Sequence, residues 1–154
     1  METTFIFLKP DAVQRGLIAE IVGRFERKGL ELAGMKLIMV PKDLAEKHYA
    51  EHAEKPFFPG LIGFVTSGPV LAMAWRGVDA VAVCRKLIGA TNGRNAEPGT
   101  IRGDFGMSGA NNMVHGSDSL ESANRELDLW FADGELVAHE PTLKPWVYDP
   151  YDLK

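Results

Sequence analysis

Thr3-Thr4-Phe5-Ile6-Phe7-Leu8-Lys9-Pro10-Asp11 is the stretch from which the fold is read. β-Branched and aromatic residues over a strand's length are stopped by a lysine, a proline and an aspartate, which is turn chemistry. Downstream, Leu17, Ile18, Ile21, Val22 and Phe25 recur at helical spacing, and Gly29 is placed to cap a helix over 17–28. The chain therefore opens as a strand followed by a helix.

The same reading carried outward gives the remaining elements. Leu30 to Val40 predicts a second strand with Gly34 as a bulge, and Pro41 with Asp43 opens a helix through about His52. A short helix over Phe57–Val65, a strand over Pro69–Trp75 and a helix over Val78–Ile88 follow. Residues 90–111 carry Gly93, Gly99, Gly103, Gly106 and Gly109 with little periodicity, the mark of a long functional loop. Asn112–His115 predicts a short fourth strand. Asp118 with Glu121 three residues later predicts a capping box for a last helix, whose buried stripe is Leu120, Ala123, Leu127, Trp130 and Phe131.

With the short helices treated as insertions, the order condenses to βαββαβ. That is an α+β, ferredoxin-like fold: a four-stranded antiparallel sheet with helices on its face and a long glycine-rich loop before the last strand. One domain over 1–154 is expected. Residues 140–154, with three prolines and Trp146, read as a tail packed on the surface or on a neighbouring subunit.

Composition narrows the class. At 154 residues, 45% hydrophobic and 25% charged, the chain can bury a real core, which argues against disorder. A net charge of −4 leaves no basic footprint for nucleic acid. Cys84 is the only cysteine, so no intrachain disulfide forms and a reducing compartment suits the chain. The run Phe5–Leu8 is too short for a signal-peptide core or a membrane span, so the expected address is cytoplasmic, with no membrane partner.

The candidate chemistry sits in Asn112-Met113-Val114-His115-Gly116-Ser117-Asp118, where a strand gives way to a turn and Gly116 leaves room beside the His115 ring. Neutral imidazole is a nucleophile, and a carboxylate holding one ring nitrogen fixes which nitrogen attacks. Glu126 is the candidate for that carboxylate. His48 and His52, at i and i+4, lack the glutamate of a metalloprotease motif beside His48 and read as an ordinary helix face. Arg102-Gly103-Asp104 spells an adhesion tripeptide that a chain of this kind has no use for.

Taken with Pro98-Gly-Thr-Ile-Arg102-Gly-Asp104 and Lys9-Pro-Asp11, the His115 segment resembles the nucleoside diphosphate kinase family. The resemblance extends through Gln14-Arg-Gly-Leu-Ile18, Lys55-Pro-Phe-Phe58, Thr66-Ser-Gly-Pro69, Gly89-Ala-Thr91 and Leu129-Trp-Phe131. It implies reversible transfer of the terminal phosphate from a nucleoside triphosphate to a nucleoside diphosphate. The transfer is ping-pong through a phosphohistidine, keeps the nucleoside triphosphate pools supplied, and tolerates different bases and sugars.

The resemblance also assigns residues. The nucleophile falls on His115, phosphorylated at its pros nitrogen and supported by Glu126 and Ser117. Phosphate-contacting side chains fall on Lys9, Tyr49, Arg85, Thr91, Arg102 and Asn112, and Phe57 and Leu61 form a wall against the base. Two guanidinium forks, a mobile ammonium and neutral donors suit a polyphosphate. Mg²⁺ is implied as cofactor, held mainly by nucleotide phosphates and water, so no protein ligand for it is assigned. A symmetric homo-oligomer is implied, a hexamer before a tetramer or dimer, with contacts through the 90–111 loop and the tail.

Within Gly106-Met-Ser-Gly-Ala-Asn111 the chain departs from the family pattern. Gly109 stands where a valine usually meets the base, Ala110-Asn111 replace a common Gly-Arg, and Gly93 replaces a loop proline. A weaker base clamp is the expectation. A binding protein that has lost phosphotransfer and a small phosphatase of the same fold are the competing readings; transfer from ATP to GDP separates them.

Overall fold

The computed structural model describes residues 1–154. Four strands, β1 (Glu2–Leu8), β2 (Glu31–Met39), β3 (Pro69–Gly77) and β4 (Val114–Gly116), form one sheet in the order β2-β3-β1-β4. Every pairing is antiparallel. This is the α+β, ferredoxin-like arrangement expected from the element order.

Helices cover both faces of the sheet. Successive strand residues point to opposite faces, so Ile6 and Leu8 join one core and Phe5 and Phe7 another. The first core is closed by Ile21 and Phe25 of α2 (Ile18–Lys28) and by Cys84 and Ile88 of α5 (Ala80–Ile88). The second is closed by Ala45 of α3 (Lys42–His48), Val65 of α4 (Phe58–Val65), and Leu127 and Trp130 of α7 (Leu120–Trp130). Burial on both sides is why β1 reads as an unbroken apolar run. The predicted bulge at Gly34 appears as a register shift between Leu32 and Gly34 against β3.

Several local expectations are corrected. Lys9-Pro10-Asp11 is not a plain turn: Pro10 opens a helix, α1 (Pro10–Gln14), at the position where its missing N–H costs nothing. The helix expected through His52 stops at His48 and continues as a 3₁₀ turn over Ala50–His52. The glycine-rich segment contains α6 (Ile101–Phe105), whose Thr100 hydroxyl accepts the Gly103 N–H, and another 3₁₀ turn at Gly93–Asn95. At α7 the cap is Ser119, accepting the Ser122 N–H, and not Asp118 with Glu121. Leu120 is 47% exposed, and Glu126 occupies the buried stripe instead.

Strand β4 starts two residues later than predicted because Met113 has φ +67, which no extended strand accommodates. The tail lies against its own chain. Tyr148 Oη accepts the Val78 N–H, Arg76 donates to the His139 carbonyl, and Lys144 approaches the buried Glu31 carboxylate at 3.7 Å.

Candidate active site

A cleft of about 770 Å³ opens where β1, β4, α3, α4, α7 and the 89–112 segment converge. It brings together Lys9, Tyr49, Phe57, Leu61, Arg85, Thr91, Arg102, Asn112, His115 and Glu126, ten of the eleven residues singled out in the sequence. Ser117 lies just behind it. Its hydroxyl donates to the Phe5 carbonyl at 3.2 Å.

β4 delivers His115 and α7 delivers Glu126. The Glu126 carboxylate meets His115 Nε2 in a short hydrogen bond, which leaves Nδ1 as the uncommitted ring nitrogen. The ring stacks on Phe7 with centroids 5.1 Å apart, so its plane is fixed by the core aromatics of β1. Burial, with Lys9, Arg102 and Arg85 nearby, holds the imidazole far below its ordinary pKa, at about 3. Burial also pushes Glu126 up to about 6. At neutral pH the pair is therefore a neutral imidazole donating to a carboxylate.

The cations around this ring are themselves held. Arg102 is only 5% exposed, and its guanidinium donates to the carbonyls of Asn112 (3.2 Å), Gly89 (3.2 Å) and Val114 (2.6 Å). A guanidinium has five N–H donors, so the planar fork is fixed while donors remain for a ligand. Burial and the neighbouring Arg85 lower its pKa to about 10, which leaves it charged. Lys9 Nζ donates to Asn112 Oδ1 at 2.8 Å, and burial with Arg102 nearby brings its pKa to about 8. Asn112 in turn donates to the carbonyls of Thr91 (2.9 Å) and Gly109 (3.0 Å). Arg85, exposed on α5, reaches the Gly116 carbonyl at 3.3 Å.

His48 was missed. Expected only as part of an ordinary helix face, it is buried, accepts the Trp130 Nε1–H at Nδ1 (3.0 Å), and stands edge-on to His115 with centroids 4.5 Å apart. Burial and His115 nearby keep it neutral. Its partner is 82 residues away, so helical spacing held no signal for it. Arg125 and Asp118 also line the cleft, and the sequence reading gave neither a place in the site.

Away from the imidazole the cleft changes character. Phe57 is 55% exposed on one wall, with Leu61 beside it. Across the cleft, Gly109 presents no side chain. A Cβ there would meet only Asn92, at 3.9 Å, an ordinary contact distance, so the position itself can carry a side chain.

A neutral imidazole held by a carboxylate and ringed by cations, beside apolar side chains, fits the class of phosphate-transferring enzymes. The comparisons give the family. The nucleoside diphosphate kinase family model matches residues 2–136. A nucleoside diphosphate kinase of Cyanothece sp. is 60% identical over 149 residues, covering 97% of this chain and all of that one. Among solved structures, the enzyme of Halobacterium salinarum in complex with CDP superposes with a TM-score of 0.94 at 51% identity, over 96% of this chain and 99% of that one. That of Encephalitozoon cuniculi gives 0.92 at 47% identity, over 96% and 100%. The chain belongs to the nucleoside diphosphate kinase family, and its reaction is the transfer of phosphate between nucleoside triphosphates and diphosphates through a phosphohistidine.

Proposed function

We propose that His115 is the phosphate carrier and that Nδ1 is the atom phosphorylated. The observation that carries this reading is the Glu126 hydrogen bond to Nε2, which leaves the Nδ1 lone pair to attack. In the first half-reaction Nδ1 bonds to the terminal phosphorus and the bond from that phosphorus to the bridging oxygen breaks. The electron pair leaves on the diphosphate. Glu126 balances the positive charge that grows on the ring, Phe7 keeps the imidazole in place, and Ser117 supports His115 by anchoring the turn after it on the Phe5 carbonyl. The second half-reaction is the reverse, toward another diphosphate.

Arg102, Arg85 and Lys9 stabilise charge on the phosphoryl oxygens and the leaving group, with Thr91, Asn112 and Tyr49 as polar contacts. Phosphoryl transfer asks little more of a protein than alignment and charge. Phe57 and Leu61 face the base, and contact by stacking rather than by hydrogen bonds to base edges accounts for broad base tolerance.

Mg²⁺ fits this cleft only as a companion of the nucleotide. Of the carboxylates lining it, Glu126 is committed to His115, and Glu51 and Asp118 are exposed groups available to the ion's waters. When bound, the ion neutralises phosphate charge. The cluster of His48, His115 and Glu126 is a poor cage for it, being rich in nitrogen and built on the nucleophile.

The whole chain, 1–154, acts as one domain with 140–154 docked on it, in a homo-oligomer, hexameric by family resemblance. Support for assembly comes from edge strand β2, where Met35, Leu37 and Met39 are 41–59% exposed beside Val137, an apolar edge that a monomer rarely leaves bare. No helix is long and apolar enough to cross a membrane, and the free thiol of Cys84 is buried, which agrees with work in the cytoplasm. The test is ATP-to-GDP transfer by wild type and His115→Ala. Parallel-line (ping-pong) kinetics for the first and no transfer by the second are expected; a sequential pattern, or an active alanine variant, would overturn the reading.

A further inference from the structure

Met113, between Asn112 and the strand that carries His115, combines two uncommon features. Its φ is +67 without being glycine, and the Val114 N–H donates to the Asn112 carbonyl at 2.8 Å across it. A bond from residue i+2 back to residue i about a positive-φ centre is the classic-type γ-turn, a rare and strained conformation. Such a turn persists only where its surroundings over-determine it.

Those surroundings come from the segment that follows β1. The Met113 N–H donates to Asp11 Oδ2 at 3.1 Å, and the Met113 carbonyl accepts the Lys9 backbone N–H at 2.8 Å. Arg15 donates to the Met113 sulfur at 3.4 Å and to the Phe105 carbonyl at 2.8 Å, and the Met113 side chain is wholly buried. The other oxygen, Asp11 Oδ1, is buried with no partner, so within the protein this carboxylate serves the Met113 amide alone.

The turn has consequences on both sides. The two carbonyls that flank it, of Asn112 and Val114, both accept from Arg102, from Nε and Nη2. Two residues of extended strand advance about 6.6 Å, whereas the γ-turn shortens that span and draws both carbonyls within reach of one guanidinium; it also sets the course of β4 into His115. We propose that Asp11 is a positioning residue for phosphoryl transfer: by accepting the Met113 N–H it holds the γ-turn that seats Arg102 and aims His115. Asp11 itself does not line the cleft. The inference rests on His115 as phosphate carrier.

The test uses the full-length protein and the single-turnover rate at which ATP labels His115, at neutral pH. Asp11→Asn keeps an acceptor at the right place without the charge. Asp11→Glu keeps the charge and displaces the acceptor by a methylene, and Asp11→Ala removes both. We expect Asn to keep most of the rate, and Glu and Ala to lose on the order of 10²-fold in the labelling rate, the penalty of roughly 1 Å of misplacement, with nucleotide KM changed much less. Hydrogen exchange at the Met113 amide should be slow in wild type and Asn and fast in Glu and Ala, which reads the turn directly even if a variant is unstable. Labelling by Glu at the wild-type rate, or Glu retained and Asn lost, would overturn the inference, the latter assigning Asp11's effect to its charge near Lys9. Absence of label in wild type would instead sink the reading of His115 itself.

Discussion

The two ends of the cleft are built in opposite ways. Around His115 the side chains are buried and cross-linked: Arg102 by three carbonyls, Asn112 by Lys9, Thr91 and Gly109, and Glu126 by the imidazole. At the other end Phe57 is exposed, and Gly109, lining the same cleft, presents no side chain. Electrostatic stabilisation of a transition state needs groups already in place, because reorganising dipoles during reaction costs the energy they would provide. Accepting several bases needs a surface that insists on no hydrogen-bond pattern, because an unmet buried polar group is what rejects an analogue. Rigidity at one end and permissiveness at the other belong to one function.

Breaking the rigid end should produce the largest losses. Arg102→Ala removes a charged fork, strands the carbonyls of Gly89 and Val114, and leaves that of Asn112 with only the Val114 N–H. A fall in kcat on the order of 10²–10³-fold is expected, together with a destabilisation of about 1–3 kcal/mol in urea titration. A similar kcat loss without any stability change would mean the carbonyl seat is unimportant. Glu126→Ala frees Nε2 and with it the choice of tautomer. A decrease of about 10²-fold in the His115 labelling rate is expected, larger than any change in nucleotide KM.

Lys9 links the comparison to pH. Its pKa is lowered to about 8, so its charge disappears as pH rises through that value instead of near 10.5. kcat/KM, which follows the free enzyme, should decline above about pH 8, and Lys9→Arg should remove that alkaline limb. Stability runs the other way. Between about 8 and 10.5 the unfolded chain binds more protons than the folded one, so this group's contribution to folding becomes more favourable as pH rises across the window. A kcat/KM profile flat to pH 10 would contradict the burial of Lys9.

The smallest effect should come from the permissive end. Gly109→Val places a side chain at a position that can carry one, adding apolar contact of about 1 kcal/mol, or roughly fivefold in nucleotide affinity by equilibrium titration. kcat should not move. Unchanged affinity would show that the base does not lie beside Gly109.

The sequence made these two ends legible to different degrees. β1, α2, β3 and α7 announced themselves through apolar periodicity, because each owes its pattern to the sheet faces it covers. α6 was hidden among glycines, since a five-residue helix carries too little periodicity to register. Apart from His115 and Glu126, the site residues could be named only through family motifs. What no motif conveyed was how they are held: Trp130 on His48, a glutamate in a stripe assumed apolar, and a backbone turn at Met113 that side-chain pattern does not encode. All three are contacts between residues distant in sequence or dihedral choices that tertiary structure imposes.

Incubating the protein with ATP labelled on its terminal phosphate, then locating the label, tests the central claim most directly. The account predicts acid-labile, base-stable label on Nδ1 of His115 that is discharged on adding GDP. Label on any other residue, or on His115 but not dischargeable to a diphosphate, would contradict it.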